Sequence, residues 1–114
     1  MDFPKRGDIF LINLDHTIGA EINKTRPAVV ISNDINNEFA QTVTIIPLSS
    51  NVDKVYPFEC LIYSEGNGLD RLSKAKCNQI RTVDKKRLVK IIGKVSHKDV
   101  YNIEKSLKIH LGIK

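Results

Sequence analysis

The chain has 114 residues, of which 41% are hydrophobic and 27% charged, with a formal net charge of +5 and no stretch rich in Pro, Gly or Ser. This size and composition predict one domain, residues 1–114, whose core buries roughly two-thirds of the unfolded surface. No apolar run approaches a membrane span, and the N-terminal residues lack the apolar region of a signal peptide, so we expect a cytosolic protein that does not interact with a membrane.

Strand-like runs separated by turn signals recur along most of the chain, at residues 9–14, 27–32, 43–47, 58–63, 74–83 and 88–92. Between them, "NDINNEF" (33–39) predicts a turn and "SEGNGLD" (64–70) a flexible loop, and residues 82–84 are expected to begin a further turn. So many short strands in so few residues predict a mainly β fold, in which a strongly curved sheet closes as a small barrel.

An amphipathic helix is predicted at the end of the chain. Ser96, with Asp99 three residues later, resembles a capping box. Apolar residues then recur at helical spacing up to Gly112, namely Val100, Ile103, Leu107 and Leu111. We expect this helix to cover an open side of the sheet.

The positive charge is concentrated in residues 71–98, which contain ten Lys and Arg residues and one acid, Asp84, whereas the rest of the chain is net acidic. This stretch also contains residues that can enter a core, namely Cys77, Ile80, Val83, Leu88, Ile91 and Val95. A folded face of cations is typical of a surface that binds a polyanion. The alternative is a solvated lysine-rich surface.

Two cysteines, Cys60 and Cys77, occur without a CxxC pattern or nearby paired histidines. This pattern predicts neither a disulfide framework nor a zinc site. We expect two reduced structural thiols, no metal site and no cofactor.

One arginine stands at the junction of a polar loop and a strand, in "INKTRPAVVIS" (22–32). Pro27 restricts Arg26 to extended conformations, so Arg26 ends the loop and enters the sheet. A guanidinium held in this way is suited to binding a phosphate through two hydrogen bonds. An ion pair with Asp15 or Glu21 is an equally good interpretation of the spacing.

Four segments together resemble the MazF/PemK-type toxins, the ribonuclease half of bacterial toxin-antitoxin modules. They are "RGDIFLINLDHTIGAEINKTRPAVVISND" (6–34), "TIIPLSS" (44–50), "YPFE" (56–59) and "NQIRTVDKKRL" (78–88), in the order and at the spacing of that family. The resemblance implies an SH3-like (CcdB/PemK-type) barrel, a two-fold homodimer and metal-independent cleavage of single-stranded RNA at short specific sequences. It also implies an acidic, MazE-like antitoxin that blocks the RNA groove.

The resemblance also implies which residues act. Arg26 matches the catalytic arginine before proline, Ser49 a position that is usually threonine, and Glu21 the acid of a G-x-E segment. The expected RNA-binding residues lie in two loops and the basic segment: Asp15, Thr17, Lys24, Thr25, Ser50, Lys76, Asn78, Gln79, Arg81, Lys85, Lys86 and Arg87.

Two departures from the family pattern are visible. Asp15-His16-Thr17 replaces the common aspartate-proline-threonine. The histidine, aspartate and arginine that one branch of the family uses fall at Ala20, Asn78 and Lys76, so that constellation is missing.

Metal-free RNA cleavage requires attack of the 2′-hydroxyl on the adjacent phosphorus, which gives 2′,3′-cyclic phosphate and 5′-hydroxyl ends. Arg26 can neutralise the developing charge and donate a proton, and Ser49 can hydrogen-bond a nonbridging oxygen, each worth roughly 10²- to 10³-fold by analogy with oxyanion donors. A guanidinium keeps its proton up to about pH 12, so Arg26 is an awkward general base. Glu21 is an alternative, and the sequence leaves the base open.

A pair of histidines is not a good alternative, because His97 and His110 lie ~20 Å apart along the predicted helix and only His16 is near the site. Aromatic residues that could stack on bases are few, and most are expected in the core: Phe10, Phe39, Tyr56, Phe58 and Tyr63. Three function classes remain, namely a toxin ribonuclease, a protein-directed toxin such as a gyrase poison, and a noncatalytic RNA-binding barrel.

Overall fold

The computed structural model describes residues 3–114, which form one antiparallel sheet of seven strands and two α-helices. The strands are β1 (Asp8–Asn13), β2 (Thr25–Val30), β3 (Thr42–Ser49), β4 (Glu59–Ile62), β5 (Ser73–Lys76), β6 (Arg81–Asp84) and β7 (Leu88–Lys94), and the helices are α1 (Asp34–Phe39) and α2 (His97–Leu111). The strand order is β4-β5-β3-β2-β1-β7, and β6 pairs with β3 beside β5. Within residues 3–114, no helix combines the length and apolar character needed to span a membrane.

The core lies on both faces of the central strands, because successive side chains of a strand point to opposite faces. Val29 of β2 belongs to the cluster that packs against Ile103 of α2. Its neighbours Ala28 and Val30 belong to a second cluster with Ile12 and Ile45. The alternation of side chains along β2 and β3 therefore builds two apolar layers around one sheet.

The mainly β fold with a C-terminal helix is confirmed, but the predicted closure into a barrel is wrong. Strands β4 and β7 are the two ends of the hydrogen-bonded order. Helix α2 packs on β4, and β7 pairs with β1 through two register irregularities, which are common at sheet edges. The covering helix and the irregular edge protect the sheet without closure.

The predicted strand at residues 74–83 is two strands, β5 and β6, separated by a 3-10 turn at Cys77–Gln79. Ala75 pairs with Leu48 and Arg81 with Ile45, so the β5–β6 side has more residues than the matching part of β3. The surplus residues form the turn. The further turn predicted from residue 82 is also displaced, because residues 82–84 belong to β6 and the turn occupies Lys85–Arg87.

The segment "NDINNEF" contains helix α1 where a simple turn was predicted. The Asn33 side chain accepts a hydrogen bond from the Asn36 N–H and caps the helix. Asn37 is fully buried and exchanges hydrogen bonds with Ser32, which compensates for its burial. The polar composition that suggested a turn supplies the cap and this buried contact.

Helix α2 is confirmed, with the Ser96 hydroxyl accepting from the Asp99 N–H and Gly112 ending the helix at φ 70°. Two expected core residues are exposed, since Ile91 lies on the edge strand β7 and Leu111 in the last helical turn. Three of the aromatic residues expected in the core are also exposed: Phe39, Tyr56 and Tyr63.

Candidate functional site

The polar loop between β1 and β2 is held at its base by two arginines from the basic segment. Arg81 Nη1 donates to the Leu14 carbonyl oxygen at 3.1 Å. Arg87 Nη1 donates to the carbonyl oxygens of Asn13, at 3.1 Å, and Asp15. Each guanidinium therefore uses Nη1 to contact protein carbonyls and position the loop.

A second set of contacts joins the same loop to the 3-10 turn after β5. The Gln79 side chain accepts from the Ile22 N–H at 3.0 Å and donates to the Ala20 carbonyl at 3.2 Å. Loop and turn enclose a cavity of about 510 Å³, which we call the loop cavity, lined by Ile18, Ala20, Glu21, Ile22, Asn78, Gln79, Ile80 and Arg81. The structure therefore brings together four of the predicted site residues, namely Glu21, Asn78, Gln79 and Arg81.

Glu21 takes part in the internal structure of the loop. Its Oε1 accepts a hydrogen bond from the Ile18 N–H at 2.8 Å, and the residue is exposed. Asp15 has a similar role, because its Oδ1 accepts from the Lys24 N–H at 3.0 Å while the Lys24 carbonyl accepts from Leu14. These two carboxylates shape the loop.

Arg26 lies at the start of β2, opposite Ile12 of β1. Its Nε donates to the Asn23 carbonyl at 2.7 Å, and within residues 3–114 the guanidinium makes no other hydrogen bond and no ion pair. The alternative of an ion pair with Asp15 or Glu21 is therefore wrong for this structure. The two terminal nitrogens of Arg26 remain available to a ligand.

Arg26 borders a second, smaller cavity of about 180 Å³, which we call the arginine cavity. Its lining combines the ends of β2 and β3 with the loop before β5: Arg26, Pro27, Leu48, Ser50, Leu69, Asp70, Arg71 and Ser73. Ser50 is a predicted site residue, whereas Asp70 was missed because residues 64–70 read as a flexible loop, and Arg71 because its charge was counted only as part of the basic segment. The sequence could have indicated this part of the lining, because Arg71 is the first cation of the basic segment.

Ser49 lies at the end of β3 and is half-buried. The β2–β3 pairing ends at Ala28 and Pro47, two residues before Ser49, which pairs with Lys74 of β5 and does not line the arginine cavity. The Ser49 hydroxyl oxygen accepts from the Asn51 N–H at 3.2 Å and keeps its own proton for a further acceptor.

Lys76 is part of a buried ion cluster. Its Nζ lies 3.5 Å from Glu59 Oε2, and Lys74 Nζ lies 3.1 Å from Glu59 Oε1. Burial alone would raise the pKa of Glu59, but the Tyr56 N–H and the two ammonium groups outweigh it and lower that pKa below its ordinary value. In this cluster the ammonium group of Lys76 helps to compensate the buried carboxylate of Glu59.

The remaining predicted RNA-binding residues lie at different places. Lys85 borders an apolar cavity with Phe10, Leu88 and Ile91, apart from both cavities described above. Four others lie outside the two linings but belong to the β1–β2 connection and the first residue of β2: Asp15, Thr17, Lys24 and Thr25.

Cys60 and Cys77 are free and buried, as expected for two structural thiols. Burial raises the pKa of Cys60 to about 11, with a smaller contribution from Asp99. Burial likewise raises the pKa of Cys77 to about 12, and the nearby Cys60 and Glu59 raise it by smaller amounts. Both thiols stay protonated and unreactive near neutral pH.

Comparison with known families gives a match over residues 5–111 to the PemK-like, MazF-like toxin of type II toxin-antitoxin systems. Endoribonuclease MazF9 of Mycobacterium tuberculosis (strain ATCC 25618 / H37Rv) is 40% identical over 114 residues, covering 96% of this chain and 97% of the relative. Endoribonuclease EndoA of Bacillus subtilis (strain 168) is 32% identical over 110 residues, covering 96% and 95%.

Solved structures of the same type share the fold. MazF from Deinococcus radiodurans superposes with a TM-score of 0.85 at 21% identity, covering 99% of this chain and 100% of that one. A mycobacterial endoribonuclease in complex with its cognate antitoxin gives a TM-score of 0.80 at 20% identity, covering 97% of each chain.

Proposed function

The chain belongs to the PemK-like, MazF-like toxins of type II toxin-antitoxin systems, and we propose that it is an endoribonuclease that cleaves single-stranded RNA at short specific sequences without a metal. Its relatives with 40% and 32% identity are named endoribonucleases. We place the activity in the cytosol, where messenger RNA is available and where its cleavage stops translation and growth.

The observation that supports this proposal most is the hydrogen bonding of the Arg26 guanidinium. Its guanidinium is oriented through Nε by the Asn23 carbonyl, while its terminal nitrogens have no protein partner within residues 3–114. A planar group with two free, parallel donors is suited to two oxygens of one phosphate. Arg26 is thereby preorganised to bind the scissile phosphate.

In the proposed reaction the 2′-hydroxyl attacks the adjacent phosphorus and the bond from phosphorus to the 5′-oxygen breaks. Arg26 neutralises the charge that develops on the nonbridging oxygens and donates a proton to the departing 5′-oxygen. Ser49 donates its hydroxyl to a nonbridging oxygen from the neighbouring strand end. The products are a 2′,3′-cyclic phosphate and a 5′-hydroxyl, and donors of this kind are worth roughly 10²- to 10³-fold each.

We give Glu21 a different role from the one that the resemblance implied. It borders the loop cavity rather than the arginine cavity, and one of its oxygens already accepts from the Ile18 N–H. Glu21 therefore shapes the loop, and the proton of the 2′-hydroxyl passes to solvent, which in turn returns a proton to Arg26.

Sequence preference comes from the loop cavity, half of whose lining is polar. Asn78 is exposed there, and Arg81 is half-buried. Amide side chains can read the hydrogen-bonding edge of an unstacked base, as expected for recognition of single-stranded RNA. Lys24 and Thr25, both exposed at the loop end, supply contacts to the sugar-phosphate backbone.

The proposed assembly is a two-fold homodimer that an acidic, MazE-like antitoxin neutralises. Structures that share this fold include MazE-MazF complexes, among them one from Deinococcus radiodurans. Because the basic segment gives the toxin a positive surface, an acidic segment of the antitoxin would compete with RNA for it. Sedimentation should show a dimer at micromolar concentration, and the antitoxin peptide should weaken RNA binding; simultaneous, independent binding would contradict this assembly.

The decisive experiment incubates the protein with long single-stranded RNA in EDTA and maps the cut sites and end groups. We expect cleavage at a short recurrent sequence with cyclic-phosphate and 5′-hydroxyl ends. One deoxynucleotide at the cleaved step should stop the reaction, because it removes the nucleophile. Cleavage of that substrate, 5′-phosphate ends, or no cutting in any sequence context would overturn the proposal.

A further inference from the structure

The loop that precedes β5 contributes a second guanidinium to the cavity that contains Arg26. Asp70 and Arg71 follow directly on the glycine-rich segment 64–69 and line the arginine cavity opposite the ends of β2 and β3. Arg71 is exposed and makes no ion pair within residues 3–114, even with its neighbour Asp70. Its positive charge is therefore uncompensated at the edge of the proposed active site.

The position of this loop is determined by contacts with β7. Asn67 is buried, donates to the Tyr63 carbonyl at 2.7 Å and accepts from the Leu69 N–H at 3.1 Å. Gly68 has a φ of +87°, and a Cβ there would lie 2.3 Å from the Ile92 carbonyl oxygen, so only glycine permits this approach. Segment 64–69 is thus fixed on the sheet, contrary to the expectation of a flexible loop.

The contacts continue up to Arg71. Leu69 packs against the core cluster on the α2 side of the sheet. The Ser73 hydroxyl donates to the Arg71 carbonyl at 3.1 Å, just before β5 begins. The backbone of Arg71 is therefore anchored on both sides, and the loop presents its side chain toward the cavity that Arg26 borders.

Charge and volume together indicate what this cavity binds. Two guanidinium groups face one carboxylate, Asp70, so the lining has a surplus of positive charge that a phosphate would relieve. The volume of about 180 Å³ is below the roughly 300–1,000 Å³ of sites that enclose a whole small ligand. The cavity therefore suits one charged group of a polymer whose remainder lies outside.

We propose that Arg71 is a substrate-binding residue, which contacts an RNA phosphate next to the scissile one while Arg26 binds the scissile phosphate itself. This inference rests on the proposed function. It assigns to segment 64–73 the task of fixing the direction in which the RNA backbone crosses the ends of β2 and β3. Arg71 acts on binding, so its loss should raise KM more than it lowers kcat.

The test measures binding of an RNA that contains the mapped cleavage sequence with a deoxynucleotide at the cut step, so that it is bound and not cleaved. Arg71→Ala should bind it about tenfold more weakly, with a salt slope shallower by about 0.7, the value for one lost phosphate contact on a single strand. Arg71→Lys should restore the slope. Lys108→Ala removes an equal charge at an exposed position outside both cavities and outside the basic segment, and should change neither quantity.

A methylphosphonate scan identifies the phosphate, because it removes the charge of one linkage at a time. We expect one linkage beside the cut at which wild type loses affinity and Arg71→Ala loses none. Wild-type affinity and slope in Arg71→Ala, or equal losses for both proteins at every linkage, would overturn the assignment. If wild type neither cuts nor binds RNA, the proposed function fails; if wild type cuts normally and Arg71→Ala matches it, only the Arg71 assignment fails.

Discussion

Arg81 and Arg87 differ from Arg26 and Arg71 in what their guanidinium groups contact. The first two donate from the basic segment to carbonyls at the base of the β1–β2 loop. The other two line the arginine cavity, where Arg26 donates only its Nε, to the Asn23 carbonyl, and the Arg71 guanidinium makes no hydrogen bond or ion pair within the described residues. Arginines of one chain are thus divided between building the site and presenting charge to a ligand, and a count of cations does not reveal the division.

The largest expected effect is that of Arg26→Ala. It should lower the single-turnover cleavage rate by at least about 10²- to 10³-fold, because it removes both the charge and the directional donors at the scissile phosphate. The midpoint of thermal unfolding should stay close to that of wild type, since Arg26 makes a single hydrogen bond to a nearby carbonyl. A variant that cuts at near wild-type rate would abolish the distinction between the two pairs of arginines.

Glu59→Gln tests the corresponding structural role of two lysines, Lys74 and Lys76, which pair with the Glu59 carboxylate. The Glu59 side chain is 2% exposed and that of Lys74 10%, so removal of the carboxylate charge leaves a buried ammonium uncompensated. We expect a loss of unfolding free energy toward the lower end of the roughly 3–5 kcal/mol typical of broken buried pairs, because the Lys54 carbonyl still accepts from Lys74. Urea denaturation measures this loss.

The pH dependence gives a second readout of Glu59. Its folded-state pKa is lowered from the ordinary 4.5, so it contributes stability that is present above pH 4.5 and is lost as the pH falls through the folded value. Glu59→Gln should show a shallower fall of stability below pH 4.5 than wild type. Parallel curves for the two proteins would contradict the ion cluster.

Arg87→Ala should have a moderate effect of a different kind. Two hydrogen bonds to loop carbonyls are lost at a half-exposed position, which we expect to cost about 1 kcal/mol of unfolding free energy. A looser loop should reduce cleavage by about tenfold, and the salt dependence of RNA binding should keep its slope because no phosphate contact is removed. A shallower slope in Arg87→Ala would instead assign Arg87 to the phosphate-binding set.

The sequence predicted the elements whose signals are local. Pro27 beside Arg26 identified the loop-strand junction, and Ser96 with the helical apolar spacing identified α2. The missed features depend on distant partners. The break between β5 and β6 follows from the register with β3, and the fixed position of segment 64–69 follows from the approach of Gly68 to Ile92.

The candidate site was predicted in part for the same reason. The segment "NQIRTVDKKRL" (78–88) identified Gln79 and Arg81, but their contacts with Ala20, Ile22 and Leu14 exist only in the folded chain. Lys76 lies in the same basic segment, but its ammonium group pairs with the buried carboxylate of Glu59. Composition indicates that a cation is present, whereas the identity of its partner depends on the tertiary structure.

The smallest expected effect is that of Glu21→Gln, and it separates the two roles considered for this residue. A general base at the 2′-hydroxyl would be worth about 10²- to 10⁴-fold, and the amide cannot replace it. A loop-shaping residue keeps its contact, because the Gln carbonyl oxygen can still accept from the Ile18 N–H. We therefore expect the single-turnover rate to fall by less than about threefold, with an unchanged pH profile.

Glu21→Ala is the matched variant, since it removes both the charge and the acceptor. It should reduce cleavage more than Glu21→Gln does, because the Ile18 N–H then lacks its partner and the wall of the loop cavity loosens. If both variants are equally inactive and the acidic limb of the pH-rate profile disappears, Glu21 is the base. In that case the β1–β2 loop must move over Arg26 when RNA binds, and the separation between the two cavities would describe the RNA-free protein alone.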